Sequence, residues 1–189
     1  MAPSADSDFA ARLAAAKAGD ELAWRALFRL VSGRVVGFLV VRGAADPEGV
    51  AGDTFVDIVR SIRRFTGGER EFVAWCLTIA HRRLVDSWRS AGRRPEVLTD
   101  PSDLEQPDDL DVEDTALGLM GAARARALID RLTPDQADVI ALRIYGDLTL
   151  PEIAKRLSKP LTAVTSLQHR GLEALRRLIA DKDDELGAD

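Results

Sequence analysis

The sequence predicts an all-α fold of two helical domains joined by a flexible acidic linker. Three observations carry that prediction. Apolar residues recur at spacings of three and four with no strand-length alternation of period two. Proline and acidic or hydroxylated residues stand repeatedly where helices would begin. Between them, residues 95–114 hold three prolines and too few apolar side chains to bury.

The first element spans Asp8–Ala18, with Phe9, Leu13 and Ala16 on one face. Asp20 caps a second helix carrying Leu22, Trp24, Leu27, Phe28 and Leu30. Asp46-Pro47-Glu48 opens a third: an acidic cap, proline in the first turn and an acid at the positive dipole end. It carries Val50, Phe55, Ile58, Val59 and Ile62 and stops at Thr66-Gly67-Gly68. A fourth runs from Glu71 to about Ser90, with Phe72, Trp75, Cys76 and Ile79 on one stripe, and ends by Gly92 and Pro95. After the linker, helix resumes from about Thr115 to Arg131. Thr133-Pro134-Asp135-Gln136 has the capping-box pattern and starts a helix that reaches Tyr145 before Gly146-Asp147 breaks it. Thr149 to about Leu157 is a short helix, Ser158-Lys159-Pro160 a turn, and Thr162 to about Ala180 the last helix.

Composition excludes several kinds of chemistry. Two histidines and one cysteine cannot furnish a four-ligand Cys/His zinc site, and His81 and Cys76 lie about 140° apart on a helix. No GxGxxG, GxxxxGK[ST] or HExxH occurs. No nucleophile–base pair is visible, so no catalytic residue, cofactor or metal is expected. The longest stretches without formal charge are ten residues, Phe72–His81 and Pro160–His169, too short to span a bilayer, so no membrane insertion is expected. Met1–Asp8 has no apolar run of the signal-peptide kind, and a lone cysteine suits a reducing cytoplasm.

The net charge of −5 conceals a strict segregation. Residues 60–94 carry +6, residues 95–118 carry −9, residues 152–177 carry +4 and residues 181–189 carry −4. Two basic blocks around an acidic strap suggest two contacts with nucleic-acid phosphates. The second block has the layout of a helix-turn-helix. Glu152–Leu157 meets a turn and then an amphipathic helix with Val164, Leu167, Leu172 and Leu175, and small Ala154 stands at the crossing.

These residues resemble the sigma-70 family, specifically the extracytoplasmic-function (ECF) sigma factors of bacterial RNA polymerase. Leu132-Thr133-Pro134-Asp135-Gln136, Leu142-Arg143, Gly146-Asp147-Leu148-Thr149, Glu152-Ile153-Ala154, Val164 and Arg170-Gly171 resemble region 4. Lys17-Ala18-Gly19-Asp20, Ala23-Trp24, Asp46-Pro47-Glu48, Asp53-Thr54-Phe55 and the run Phe72–Arg82 with Asp86 and Arg89 resemble region 2. The resemblance implies a region 2-like domain at residues 8–94, the linker at 95–114 and a region 4-like helix-turn-helix domain at 115–180.

It implies further that the protein binds core RNA polymerase through the β′ clamp helices and the β flap, and has no chemistry of its own. Asp46, Glu48, Asp53, Thr54 and Phe55 are then the core-binding candidates, although Phe55 and Ile58 are equally well explained as core. Gly49 and Gly52 depart from the acidic and amide residues usual there, which suggests a soft helix. His81, Arg82, Arg83, Trp88 and Arg89 would contact the −10 element of promoter DNA, with His81 where asparagine is common. Trp75 reads as core. Lys159, Thr162, Thr165, Ser166, Gln168, His169 and Arg170 would contact the −35 element; Thr165 and Leu167 replace usual cations, which predicts weak −35 binding. The resemblance also implies an anti-sigma factor as partner. The acidic linker reads either as a tether or as a phosphate mimic against a basic channel. A helix-turn-helix regulator acting on duplex DNA without polymerase is the alternative, and it leaves residues 17–94 without a role.

Overall fold

A computed structural model describes residues 5–92, 121 and 124–186. The linker at 95–114, and residues 115–120 of the helix expected after it, lie outside the described residues. Among those described, every regular element is a helix.

The N-terminal half consists of α1 (Ala5–Lys17), α2 (Glu21–Val41), α3 (Pro47–Ser61), a 3₁₀ turn over Ile62–Arg64 and α4 (Glu69–Ser90). The C-terminal half consists of α5 (residues 124–129), α6 (Pro134–Gly146), α7 (Leu150–Leu157) and α8 (Leu161–Leu186). Boundaries follow the caps. Asp20 accepts a hydrogen bond from the Ala23 amide (2.7 Å) and Asp46 from the Gly49 amide (2.8 Å). Gln136 accepts from the Thr133 amide (3.0 Å), and Glu152 accepts from both the amide and the hydroxyl of Thr149 (each 2.6 Å). Helices α6 and α7 end at Asp147 (φ 49°) and Ser158 (φ 52°), left-handed positions that a short polar side chain tolerates.

The fourth helix begins at Glu69, two residues before the sequence suggests, because Glu71 Oε2 reaches back to the Gly68 amide (3.0 Å). The last helix begins one residue earlier and ends six residues later than expected. A Cβ at Gly49 would crowd the capping carboxylate of Asp46, whose flexible end would have to shift.

Phe9, Leu13 and Ala16 of α1 are buried as their spacing predicts. Phe9, Phe65, Phe72 and Trp75 form an aromatic cluster with ring centroids 5.0–5.8 Å apart. In the C-terminal half Ile153, Ala154 and Val164 lock α7 against α8. The two halves are not independent beads. One apolar core runs from Phe9, Phe38 and Leu77 through Val139, Leu142 and Leu148 to Ile153 and Val164. A second joins Val40 and Val41 of α2 to Ile129, Leu132, Ala137 and Ile140. Helix α6 lies against α2 and α4, and at Gly37 the approach is so close that a Cβ would stand 2.7 Å from the Tyr145 ring.

Candidate polymerase and nucleic-acid interfaces

The third helix is apolar on more sides than its neighbours can bury. Ala51, Thr54 and Ile58 share its inward face and are at most 4% exposed. Phe55, Val56 and Val59 lie on another face, where Phe55 packs on Phe28 of α2 (ring centroids 4.5 Å). Phe28 is 41%, Val56 44% and Val59 54% exposed, which leaves an apolar strip on the surface. Of the sequence-derived candidates, Phe55 contributes to this strip, and Glu48 and Asp53 are exposed beside it in sequence. Asp46 is spent on the cap, and Thr54 is fully buried with its hydroxyl donated to the Val50 carbonyl (2.7 Å). Phe28, Val56 and Val59 were not among the sequence-derived interface candidates. The available signal was a surplus of apolar positions at more than one helical phase.

On α4 the basic side chains are already engaged. Arg83 forms a two-pronged pair with Asp57 of α3 (Nε–Oδ2 2.8 Å, Nη2–Oδ1 2.6 Å), and Arg82 adds a third bond to the same carboxylate (2.8 Å). Hydrogen bonding from Arg83, helped by Arg82, holds the Asp57 carboxyl below its ordinary pKa against the opposing effect of burial. Arg89 is exposed and 3.6 Å from Asp86.

His81 and Trp88 turn away from solvent, toward the C-terminal half. His81 is 8% exposed, and its Nε2 is buried without a hydrogen-bond partner among the described residues. It stands 3.6 Å from Asp138 Oδ1 of α6, an electrostatic rather than a hydrogen-bonding distance. The same oxygen accepts from Arg42 at the end of α2 (Nε 2.9 Å, Nη2 2.5 Å), and the Arg42 guanidinium sits 5.5 Å from the Trp88 ring centroid. Burial pushes the Asp138 carboxyl up, but the His81 imidazole and the Arg42 charge prevail and its pKa lies below the ordinary range.

Helix α8 presents Thr162, Thr165, Ser166, His169 and Arg170 to solvent, the first four at spacings of three and four that align them on one face. The hydroxyls of Thr165 and Ser166 donate to the carbonyls of Leu161 (2.9 Å) and Thr162 (3.0 Å), and His169 lies 3.4 Å from Glu173. Gln168 is half-buried, and Lys159 pairs with Asp135 (2.9 Å). Among the described residues no cluster of His, Cys, Asp and Glu is placed to hold a metal ion, and no helix is long and apolar enough to cross a membrane. Cys76 is buried, and burial pushes its thiol far above the ordinary cysteine range.

The fold defines a class of two-half helical proteins with a helix-turn-helix in the second half, and comparison with known sequences makes it specific. The sigma-70 region 2 family model matches residues 23–94 and the sigma-70 region 4 model residues 128–177. The ECF RNA polymerase sigma factor BldN of Streptomyces coelicolor is 32% identical over 188 residues, covering 95% of this chain and 70% of the relative. The ECF sigma factor SigK of Mycobacterium tuberculosis H37Rv is 29% identical over 181 residues, covering 94% and 96%. The chain belongs to the sigma-70 family, among its ECF RNA polymerase sigma factors. Two solved structures share the fold. CnrH in complex with the cytosolic domain of CnrY has a TM-score of 0.59 at 21% identity, covering 94% of this chain and 98% of that one. RpoE in complex with the anti-sigma factor NepR, from Bartonella quintana, has a TM-score of 0.58 at 16% identity, covering 82% and 95%.

Proposed function

We propose that this protein acts in the cytoplasm as a non-enzymatic initiation factor, with one task assigned to each surface described above. The strip of Phe28, Phe55, Val56 and Val59, with Glu48 and Asp53 near it, receives core RNA polymerase. Helix α4, through His81, Arg82, Arg83, Trp88 and Arg89, reads the −10 element, where extruded bases can be held by stacking and edge contacts. Helix α8, through Thr162, Thr165, Ser166, Gln168, His169 and Arg170, with Lys159 preceding it, reads the −35 element in duplex form. The domains proposed for these tasks are residues 8–94 and 115–180, with 95–114 as their connection. An anti-sigma factor is the proposed inhibitor, supported by the complex with the anti-sigma factor NepR in which RpoE was solved.

The observation that carries this reading is the presence of region 2 and region 4 matches in order on one chain. A regulator acting alone on duplex DNA needs only the second. Run-off transcription with purified core polymerase on a library of genomic promoter fragments tests it. Discrete start sites that require the protein are the expected result. Duplex binding by the protein alone, with no polymerase-dependent start sites, would replace this reading with the repressor one.

A further inference from the structure

Of the α4 side chains assigned to the −10 element, Arg82, Arg83 and Arg89 reach the surface, and they are held differently. Arg89 lies 3.6 Å from Asp86, beyond hydrogen-bond reach. Arg82 and Arg83 instead share the carboxylate of Asp57, whose side chain is 15% exposed while theirs are 59% and 31% exposed. The carboxylate fixes one edge of each guanidinium in the seam between α3 and α4 and leaves part of each side chain at the surface. A guanidinium has five N–H donors, so the three bonds to Asp57 leave seven for another acceptor. On Arg83 the Nε and Nη2 atoms take the carboxylate, and both Nη1 donors remain, in a plane the two-pronged bond sets. Hydrogen bonding to Asp57 holds Arg83 above its ordinary pKa, against desolvation and with smaller help from the charges of Asp57, Asp53 and Asp86. The two arginines and Asp57 together keep one net positive charge.

This order is not what holds α3 on α4. Ile58, next to Asp57, is buried in the same apolar core as Cys76, Ala80 and Leu84 of α4. An ion pair with this much exposure adds only modestly to folding. Its larger effect is to order two long side chains before a ligand arrives, which removes that cost from binding.

We propose that Asp57 is a positioning residue for −10 recognition: from α3 it fixes Arg82 and Arg83 so that their remaining donors set the register of a single strand along α4. The proposal rests on the reading of α4 as the −10 surface. Phosphate contacts carry no sequence information of their own, but they fix the register in which bases are read.

The start sites found by run-off transcription supply the −10 sequence. Holoenzyme is then titrated at several salt concentrations with a fluorescent single strand of that sequence and with a scrambled strand of the same composition. Asp57→Asn should lose roughly tenfold in the affinity ratio of the two strands, since two rotamer-rich side chains must now be ordered on binding. Its affinity for the scrambled strand should rise, with a salt slope steeper by about 0.7, because one more cation is left unneutralised. Arg83→Lys keeps the charge but cannot form the fork, so its ratio should fall with the slope unchanged.

An unchanged ratio in either variant would overturn the proposal. A parallel loss on both strands would do the same, since it marks a residue that only supports the fold. Tighter binding of both strands with the ratio kept would make Asp57 a neutraliser and equally overturn the positioning role. Should Asp57→Asn fail to fold, the ratio of Arg83→Lys decides alone. If wild type yields start sites but prefers neither strand, the −10 reading of α4 falls and the proposal with it; if it yields none, the sigma reading falls first.

Discussion

Arg42 and Asp138 lie 96 residues apart and meet in a nearly dry interface, so their coupling can be measured by replacing each alone and both together. Arg42→Met leaves the Asp138 carboxylate buried with only the His81 imidazole near it. Asp138→Leu leaves the guanidinium buried between the Trp88 face and the Pro134 carbonyl (3.5 Å). Stranding one member of a buried pair costs about 3–5 kcal/mol. For a chain of this length that is a fall of roughly 6–20 °C in Tm. The double variant strands nothing and fills the space with apolar volume, so it should recover to within about 1–2 kcal/mol of wild type. Because Val139, Ala141 and Leu142 share one core with Leu77, the loss should appear in a single transition. Urea unfolding of the four proteins, followed by circular dichroism, gives the cycle. A double variant that loses the sum of the two singles, with a coupling energy below about 0.5 kcal/mol, would refute the reasoning.

Two further outcomes are expected. Asp57 has a carboxyl held below its unfolded pKa, so its contribution to stability is present above about pH 4, where the unfolded group also ionises, and is lost as pH falls through the lower folded value. Acid titration should therefore show Asp57→Asn less stable than wild type at pH 6 and the gap closing below about pH 4; a gap constant with pH would contradict this. Val56→Glu and Val59→Glu place charge on the exposed strip, where folding is indifferent to within about 0.5 kcal/mol, and should abolish core-polymerase binding in a pull-down without moving the unfolding midpoint. Retained binding would remove the strip from the polymerase interface.

What the sequence made legible was local. The caps at Asp20, Asp46, Thr133 and Thr149 form within three residues of their partners, so a linear reading finds them and places the helices they start. The buried stripe of α1 follows from period alone. The α8 face exposes the side chains its spacing suggests, while the hydroxyls of Thr165 and Ser166 bond back to their own helix. What stayed hidden depends on pairs distant in the chain. Arg42 ends a helix like any other basic residue, and nothing near it in sequence announces Asp138. Asp57 similarly gives no local sign that it will take two arginines from α4. His81 and Thr54 are candidates by family position, yet packing turns both inward. Trp75 stacks on Phe65 and Phe72 as its core assignment expects, whereas Trp88 takes its place from Arg42.

The continuous core has a consequence for how the chain is made. The ribosome releases α2 and α4 before it has synthesised α6, and at roughly 5–20 residues per second the intervening stretch takes several seconds. Through that interval the surface around Gly37, Leu77 and His81 has no α6 to cover it, and Arg42 has no counter-ion from Asp138. A nascent chain therefore passes through a stage in which the apolar surface that α6 later covers is bare and Arg42 lacks its counter-ion. Whatever reaches it first, a chaperone, an inhibitor or the polymerase, meets a surface that the finished protein conceals.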